Sequence, residues 1–117
     1  MTLKYFKRNE FKCKCGCGET SISENLLEML DEARNLAKIP FIISSGYRCV
    51  SHPESLKNPS SSHIKGLAVD IKCTDSKSRA LIIDALGYAG FKRFGISDSF
   101  IHADIDNGKS NPVIWLY

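Results

Sequence analysis

Residues 60–72 read SSSHIKGLAVDIK, and the fold turns on how this stretch is understood. Its second half runs on as LAVDIKC (67–73) and alternates as a strand. Leu67, Val69, Ile71 and Cys73 face one way, and Ala68 and Asp70 face the other. An aspartate at the centre of a strand built to pack needs a partner, and no basic neighbour at helical spacing offers one. His63 lies in the polar loop just before the strand, and Gly66 lets the backbone turn sharply between them. A metal ion would account for both side chains, provided that a third ligand exists.

FIHADID (100–106) supplies the candidate. Alternation places Phe100, His102, Asp104 and Asp106 on one face and Ile101, Ala103 and Ile105 on the other. The second set packs a core; the first is a polar face with an imidazole and carboxylates. If the two strands share a sheet with these faces turned the same way, Asp70 and His102 converge and the His63 loop folds over them. Two neutral imidazoles and one carboxylate are the ligand set of a catalytic zinc, which keeps a position open. Such an ion acidifies water and polarises a carbonyl. The plainer alternative makes His63 a solvated loop residue and Asp70 a surface carboxylate.

The 117 residues predict one domain over 1–117, since two cores of half this size would each be poorly buried. Hydrophobic content of 43% and charged content of 25% are ordinary for a soluble globular chain. No apolar run approaches the roughly 20 residues that cross a bilayer, so no membrane role is expected. The start, MTLKYFKRNEFK, is basic without an apolar stretch after it, which predicts synthesis in the cytoplasm without a signal peptide. A net charge of +3 is mild and scattered. It argues against nucleic acid as a partner and suits an anionic wall polymer.

Five cysteines are an odd count. Cys13, Cys15 and Cys17 crowd into CKCGCG, while Cys49 and Cys73 stand apart. Disulfides are not expected in a reducing compartment. One residue between each pair is poor spacing for a CxxC zinc half-site. The favoured reading is partly buried thiols in a turn made by Gly16 and Gly18; a structural metal is the alternative.

Along the chain, Ser21 or Ser23 caps a first helix whose apolar face is Ile22, Leu26, Met29, Leu30, Ala33 and Ala37, with Pro40 ending it. PFIISSGYR reads as a strand with Tyr47 in the core, and SHPESLKNPSSS as a long polar loop with His52 solvated. After Thr74–Ser76 a second helix buries Leu81, Ile82, Ala85, Leu86 and Ala89 and stops at Gly90. KRFGIS, FIHADID and VIWLY complete an antiparallel set. The expected class is α+β, an antiparallel sheet with helices packed on one side.

SGYRC, then SSHIKGLAVDI and FIHADID, resemble the zinc D-alanyl-D-alanine carboxypeptidase and L-alanyl-D-glutamate endopeptidase family, which includes many phage endolysins. Its metal site is like those of the hedgehog amino-terminal domain and lysostaphin-type enzymes. The most specific match is Ser61, His63, Gly66, Ala68 and Asp70 in a Ser-x-His-x-x-Gly-x-Ala-x-Asp pattern. The resemblance implies a hedgehog- and DD-peptidase-like fold and one catalytic Zn2+ held by His63, Asp70 and His102. It also implies that Arg48 stabilises an oxyanion or binds a substrate carboxylate, as an always-charged planar donor suits. Some relatives carry an acid three positions before the last histidine, where this chain has Ser99. Asp98 is therefore placed first as general base, and Asp104 first as a support that orients a ligand. The expected activity is peptidoglycan peptide hydrolysis by a monomer acting on the wall after release, as phage-type lysins do. The alternative is a zinc-bearing wall-peptide binding domain without turnover.

Overall fold

The computed structural model describes residues 3–117. Met1 and Thr2, the first residues of the segment read for a leader, lie outside them. A 3-10 turn at Arg8–Phe11 precedes helix α1 (Glu24–Ala37), strand β1 (Ile43–Ser45) and the short helix α2 (Pro53–Lys57). Strand β2 (Ala68–Lys72), helix α3 (Ser76–Tyr88) and strands β3 (Arg93–Ile96), β4 (Phe100–Asp104) and β5 (Val113–Leu116) follow. The five strands form one sheet in the order β1-β2-β4-β3-β5. The class is α+β.

Local chemistry sets the element ends. Ser23, not Ser21, caps α1 by accepting from the Leu26 amide. The helix ends at Ala37 through Lys38 in the left-handed region, two residues before Pro40. Leu26, Leu27, Leu30, Ala33 and Ala37 are buried along it. Asp75 caps α3 through the Ser78 amide. Ile82, Ala85 and Leu86 are buried there, whereas Leu81 is 38% exposed. A stripe at 82, 85, 86 and 89 leaves position 81 on its flank.

These helix residues join Val69, Ile71, Ile101, Ala103 and Phe94 in one apolar core. The strand residues between them, Asp70, His102 and Asp104, face the opposite side, so α1 and α3 cover one face of the sheet and the polar row occupies the other. Burying the core side chains contributes about 1.5–3 kcal/mol each for a leucine, isoleucine or phenylalanine. Among the described residues no helix is long and apolar enough to cross a membrane.

Three local expectations are corrected. The sheet is mixed, because β5 pairs parallel to β3 while every other pairing is antiparallel. Residues 51–62 are not all loop: Pro53 opens α2, and the His52 imidazole caps it by accepting from the Glu54 amide. His52 is thus a half-buried cap rather than a free solvated side chain. Tyr47 lies beyond β1 and is half-buried, its amide donating to the Phe11 carbonyl.

Candidate functional site

Register brings the site together. Asp70 on β2 stands opposite His102 on β4, and His102 stands opposite Gly95 on β3. Gly95 in turn pairs with Trp115 on β5. A Cβ at Gly95 would come within 2.6 Å of the Trp115 ring, so only glycine lets that indole lie across the strand. The indole reaches the His102 imidazole, with ring centroids 5.3 Å apart.

His63 arrives from the loop between α2 and β2. Ser62 donates to Asp106 at 2.7 Å, and Lys65 donates to the same carboxylate at 3.0 Å. Asp106 thereby pins both sides of His63. Gly66, at φ +71°, closes the turn into β2 and accepts from the Ser23 amide.

The protonation pattern follows from the partners. His63 Nδ1 lies 2.8 Å from the Gly46 carbonyl, which only accepts, so Nδ1 carries the proton and Nε2 bears the lone pair. That Nε2 faces Asp70 Oδ1 at 3.4 Å. His102 Nε2 lies 2.7 Å from Asp104 Oδ2, and its Nδ1 faces Asp70 Oδ1 at 3.0 Å. Asp104 also accepts from Arg93 Nε at 2.7 Å and from the Asp106 amide, and it is 1% exposed.

With both rings neutral, three lone pairs converge in a buried space with no hydrogen among them. A cation relieves that arrangement. Donor atoms of His63, Asp70 and His102 all lie within 4.8 Å of one another. Two tetrahedral ligands at about 2.0–2.1 Å from zinc are about 3.3 Å apart, close to the separations found. Each histidine gives its remote N–H to an acceptor, the arrangement that orients metal-binding imidazoles. The residues fit zinc.

The electrostatics agree. Burial pushes the Asp70 carboxyl up, but His102 and His63, when protonated on the nitrogens that face it, outweigh burial and hold Asp70 well below the usual carboxylate range. Burial alone would lower His102; its bonds to Asp104 and Asp70 prevail and raise it. Asp104 ends below its ordinary value for the converse reason, the His102 and Asp106 hydrogen bonds overcoming burial.

The site floors an open cleft of about 390 Å³, a size that admits part of a peptide. Arg48 lines it, its guanidinium 3.3 Å from Asp70 Oδ2 and its Nε donating to Ser45. Phe100 and Tyr117, 5.0 Å apart between ring centroids, form a wall beside Trp115. Of the sequence-selected residues, Arg48, His63, Asp70, His102 and Asp104 meet here. Asp98 does not. It is exposed in the β3–β4 turn, accepts only from Ser97 among the described residues, and lies outside the cleft lining.

Other residues of the cleft are not among the sequence-selected ones, including Arg93, Trp115, Tyr117, Glu54 and Lys109. Arg93 stands opposite Asp104, and its guanidinium lies 5.1 Å from the Trp115 ring centroid. Alternation in VIWLY already groups Trp115 with Tyr117. Glu54 reaches the cleft from α2, an element that polar composition concealed. Among the described lining carboxylates, Asp70 and Asp104 are engaged by histidine, which leaves Glu54.

Fold and site together define a metallopeptidase-type centre on an α+β sheet. The family profile described as Peptidase M15 matches residues 4–104, and the chain belongs to that family. A search of curated proteins and a search of solved structures found no match.

Proposed function

We propose that this chain is a zinc metallopeptidase that hydrolyses an amide bond in the stem peptides or cross-links of bacterial peptidoglycan. Its reaction is of D-alanyl-D-alanine carboxypeptidase or L-alanyl-D-glutamate endopeptidase type. The observation that carries the reading is the meeting of three lone pairs, from His63 Nε2, Asp70 Oδ1 and His102 Nδ1, at the floor of an open cleft beside a guanidinium.

His63, Asp70 and His102 hold the ion. When bound, zinc supplies Lewis acidity, acidifying water and polarising the substrate carbonyl. Asp104 fixes the His102 tautomer by accepting its Nε2 proton, and the Gly46 carbonyl does the same for His63. Arg48 offers its free donors to a developing oxyanion or to a substrate carboxylate. Glu54 takes the proton-transfer role first assigned to Asp98, accepting a proton from water and returning it to the leaving amine. Lys109 at the cleft edge adds positive charge where a carboxylate-bearing stem peptide would approach. The chain acts on the wall after release, as a monomer.

The test is digestion of purified peptidoglycan with released amino groups quantified, with and without chelator, and mass spectrometry of the fragments. Zinc-dependent release of amino groups supports the reading; unchanged release after full metal removal contradicts it. A second reading, a zinc-bearing binding domain without turnover, is favoured by Ser99 and by the exposed position of Glu54 on a five-residue helix. It predicts stem peptide retained uncut over long incubation.

A further inference from the structure

Beside the Arg48 loop, four of the five cysteines gather. Cys13, Cys15, Cys17 and Cys49 place their sulfurs within 4.8 Å of one another. Cys15 Sγ lies 3.4 Å from Cys13 Sγ and 3.3 Å from Cys49 Sγ. These separations exceed a disulfide bond of about 2.05 Å, and all five cysteines are free thiols. Four sulfurs at about 2.3 Å around a tetrahedral zinc lie about 3.8 Å apart. Two of the six separations fall just below that value, and all lie within 4.8 Å.

The backbone is arranged for sulfur ligands as well. Cys49 donates its amide to Cys13 Sγ at 3.3 Å, and Glu19 donates its amide to Cys17 Sγ at 3.4 Å. Amide donors aimed at sulfur favour the thiolate over the thiol. The Cys13 amide bonds the Glu19 carbonyl at 2.8 Å, closing residues 13–19 into a loop with its sulfurs on one side. The fourth sulfur comes from 32 positions beyond Cys17, a distance along the chain at which no local motif would have paired it.

We propose that Cys13, Cys15, Cys17 and Cys49 form a second metal site, a closed four-thiolate zinc site that fastens the amino-terminal segment to the loop carrying Arg48. Four thiols lose their protons to water as the ion binds. All-sulfur tetrahedral donors suit zinc or iron, and four protein ligands leave no position for substrate, so the role is structural. The location gives that role its purpose. Cys49 follows Arg48 directly, and Gly46, which orients His63, lies three residues before it. Between them the Tyr47 amide bonds the Phe11 carbonyl at 2.8 Å. Segment 11–17 and loop 46–49 thus run side by side, and the metal locks them where the Arg48 guanidinium and the His63 buttress must hold their positions. The site shares no ligand with the histidine centre, and its existence does not depend on the proposed reaction.

The test uses the full chain in three forms: wild type, His63→Ala/His102→Ala, and Cys13→Ser/Cys17→Ser. Metal content is measured by elemental analysis, ligation by X-ray absorption at the zinc edge. Wild type should carry two zinc ions. The histidine variant should keep one, surrounded by four sulfurs at about 2.3 Å. The cysteine variant, where it folds, should keep one with nitrogen and oxygen ligands only. A folded histidine variant that holds no zinc, or holds iron in this site, overturns the proposal and leaves the peptidase reading standing.

Alkylation of wild type gives an answer that needs no variant. Cys15 and Cys17 are exposed, so without an ion they are accessible to an alkylating reagent applied at alkaline pH. They should be protected in the native protein and modified once chelator is added. Equal labelling with and without chelator, or a Cys15–Cys49 disulfide in the native protein, counts against the site.

Discussion

Asp70 and His102 are directly paired across β2 and β4, with His102 Nδ1 3.0 Å from Asp70 Oδ1. When His102 is an imidazolium, a proton on Nδ1 makes that contact, and zinc must displace it. The two bonds of His102 to Asp104 and Asp70 overcome burial and raise its pKa above 6.5. Below the raised value the imidazolium dominates and competes with the ion; above it the lone pair is free. Zinc affinity should therefore fall at least about tenfold per pH unit on the acid side and level off on the alkaline side. In the metal-free protein the sign reverses: stability from the His102 ion pair is full at low pH and is lost as pH rises through the raised pKa. Competition with a fluorescent chelator between about pH 5 and about pH 9 measures the first effect. A flat profile would contradict it.

Asp104 touches no substrate in this account; it acts through His102. Asp104→Asn removes the charge that orients the imidazole and frees Arg93 from its 2.7 Å ion pair. Zinc affinity should drop about 10–100-fold while the chain still binds a single ion at the histidine centre. Unchanged affinity would show that the hydrogen bond is incidental.

Glu54 and Asp98 are separated by the cleft boundary. Glu54→Gln should lower kcat by about 10²–10⁴-fold with zinc content intact, as loss of a proton carrier does. Asp98→Asn should stay near wild type. The opposite pattern would return the role to Asp98 and require the β3–β4 turn to rearrange on substrate binding.

Asp106 anchors the His63 loop through Ser62 and Lys65 and is 2% exposed. Burial raises its pKa, but these partners prevail and depress it. A depressed carboxylate stabilises the fold above its unfolded pKa of about 3.9 and loses that contribution as pH falls through the folded value. Asp106→Asn should cost about 2 kcal/mol at neutral pH. The gap from wild type should narrow in strong acid, where both side chains are uncharged. Urea unfolding at the two pH values reads both numbers.

Period-two alternation made the polar row of β2 and β4 legible, because a buried face tolerates only one register. It put Asp70 and His102 on polar faces before any pairing was known, and the Ser23 and Asp75 caps follow local rules of the same kind. The direction of β5 was hidden, since residues 105–112 choose between parallel and antiparallel return by tertiary packing. Glu54 was hidden by an α2 whose composition reads as loop. Cys49 was hidden by distance: a cluster spaced poorly for zinc on its own becomes four-coordinate only when a remote loop adds the last sulfur. Asp98 stands one position before Ser99, where some relatives carry an acid, and it is exposed in the β3–β4 turn outside the cleft lining.

Anomalous scattering at the zinc edge, from crystals grown with zinc, tests the central claim most directly. A peak within about 2.0–2.2 Å of His63 Nε2, of an Asp70 carboxylate oxygen and of His102 Nδ1 is the predicted result. Ordered side chains at 63, 70 and 102 with no zinc between them, in crystals shown to contain the metal, would contradict it.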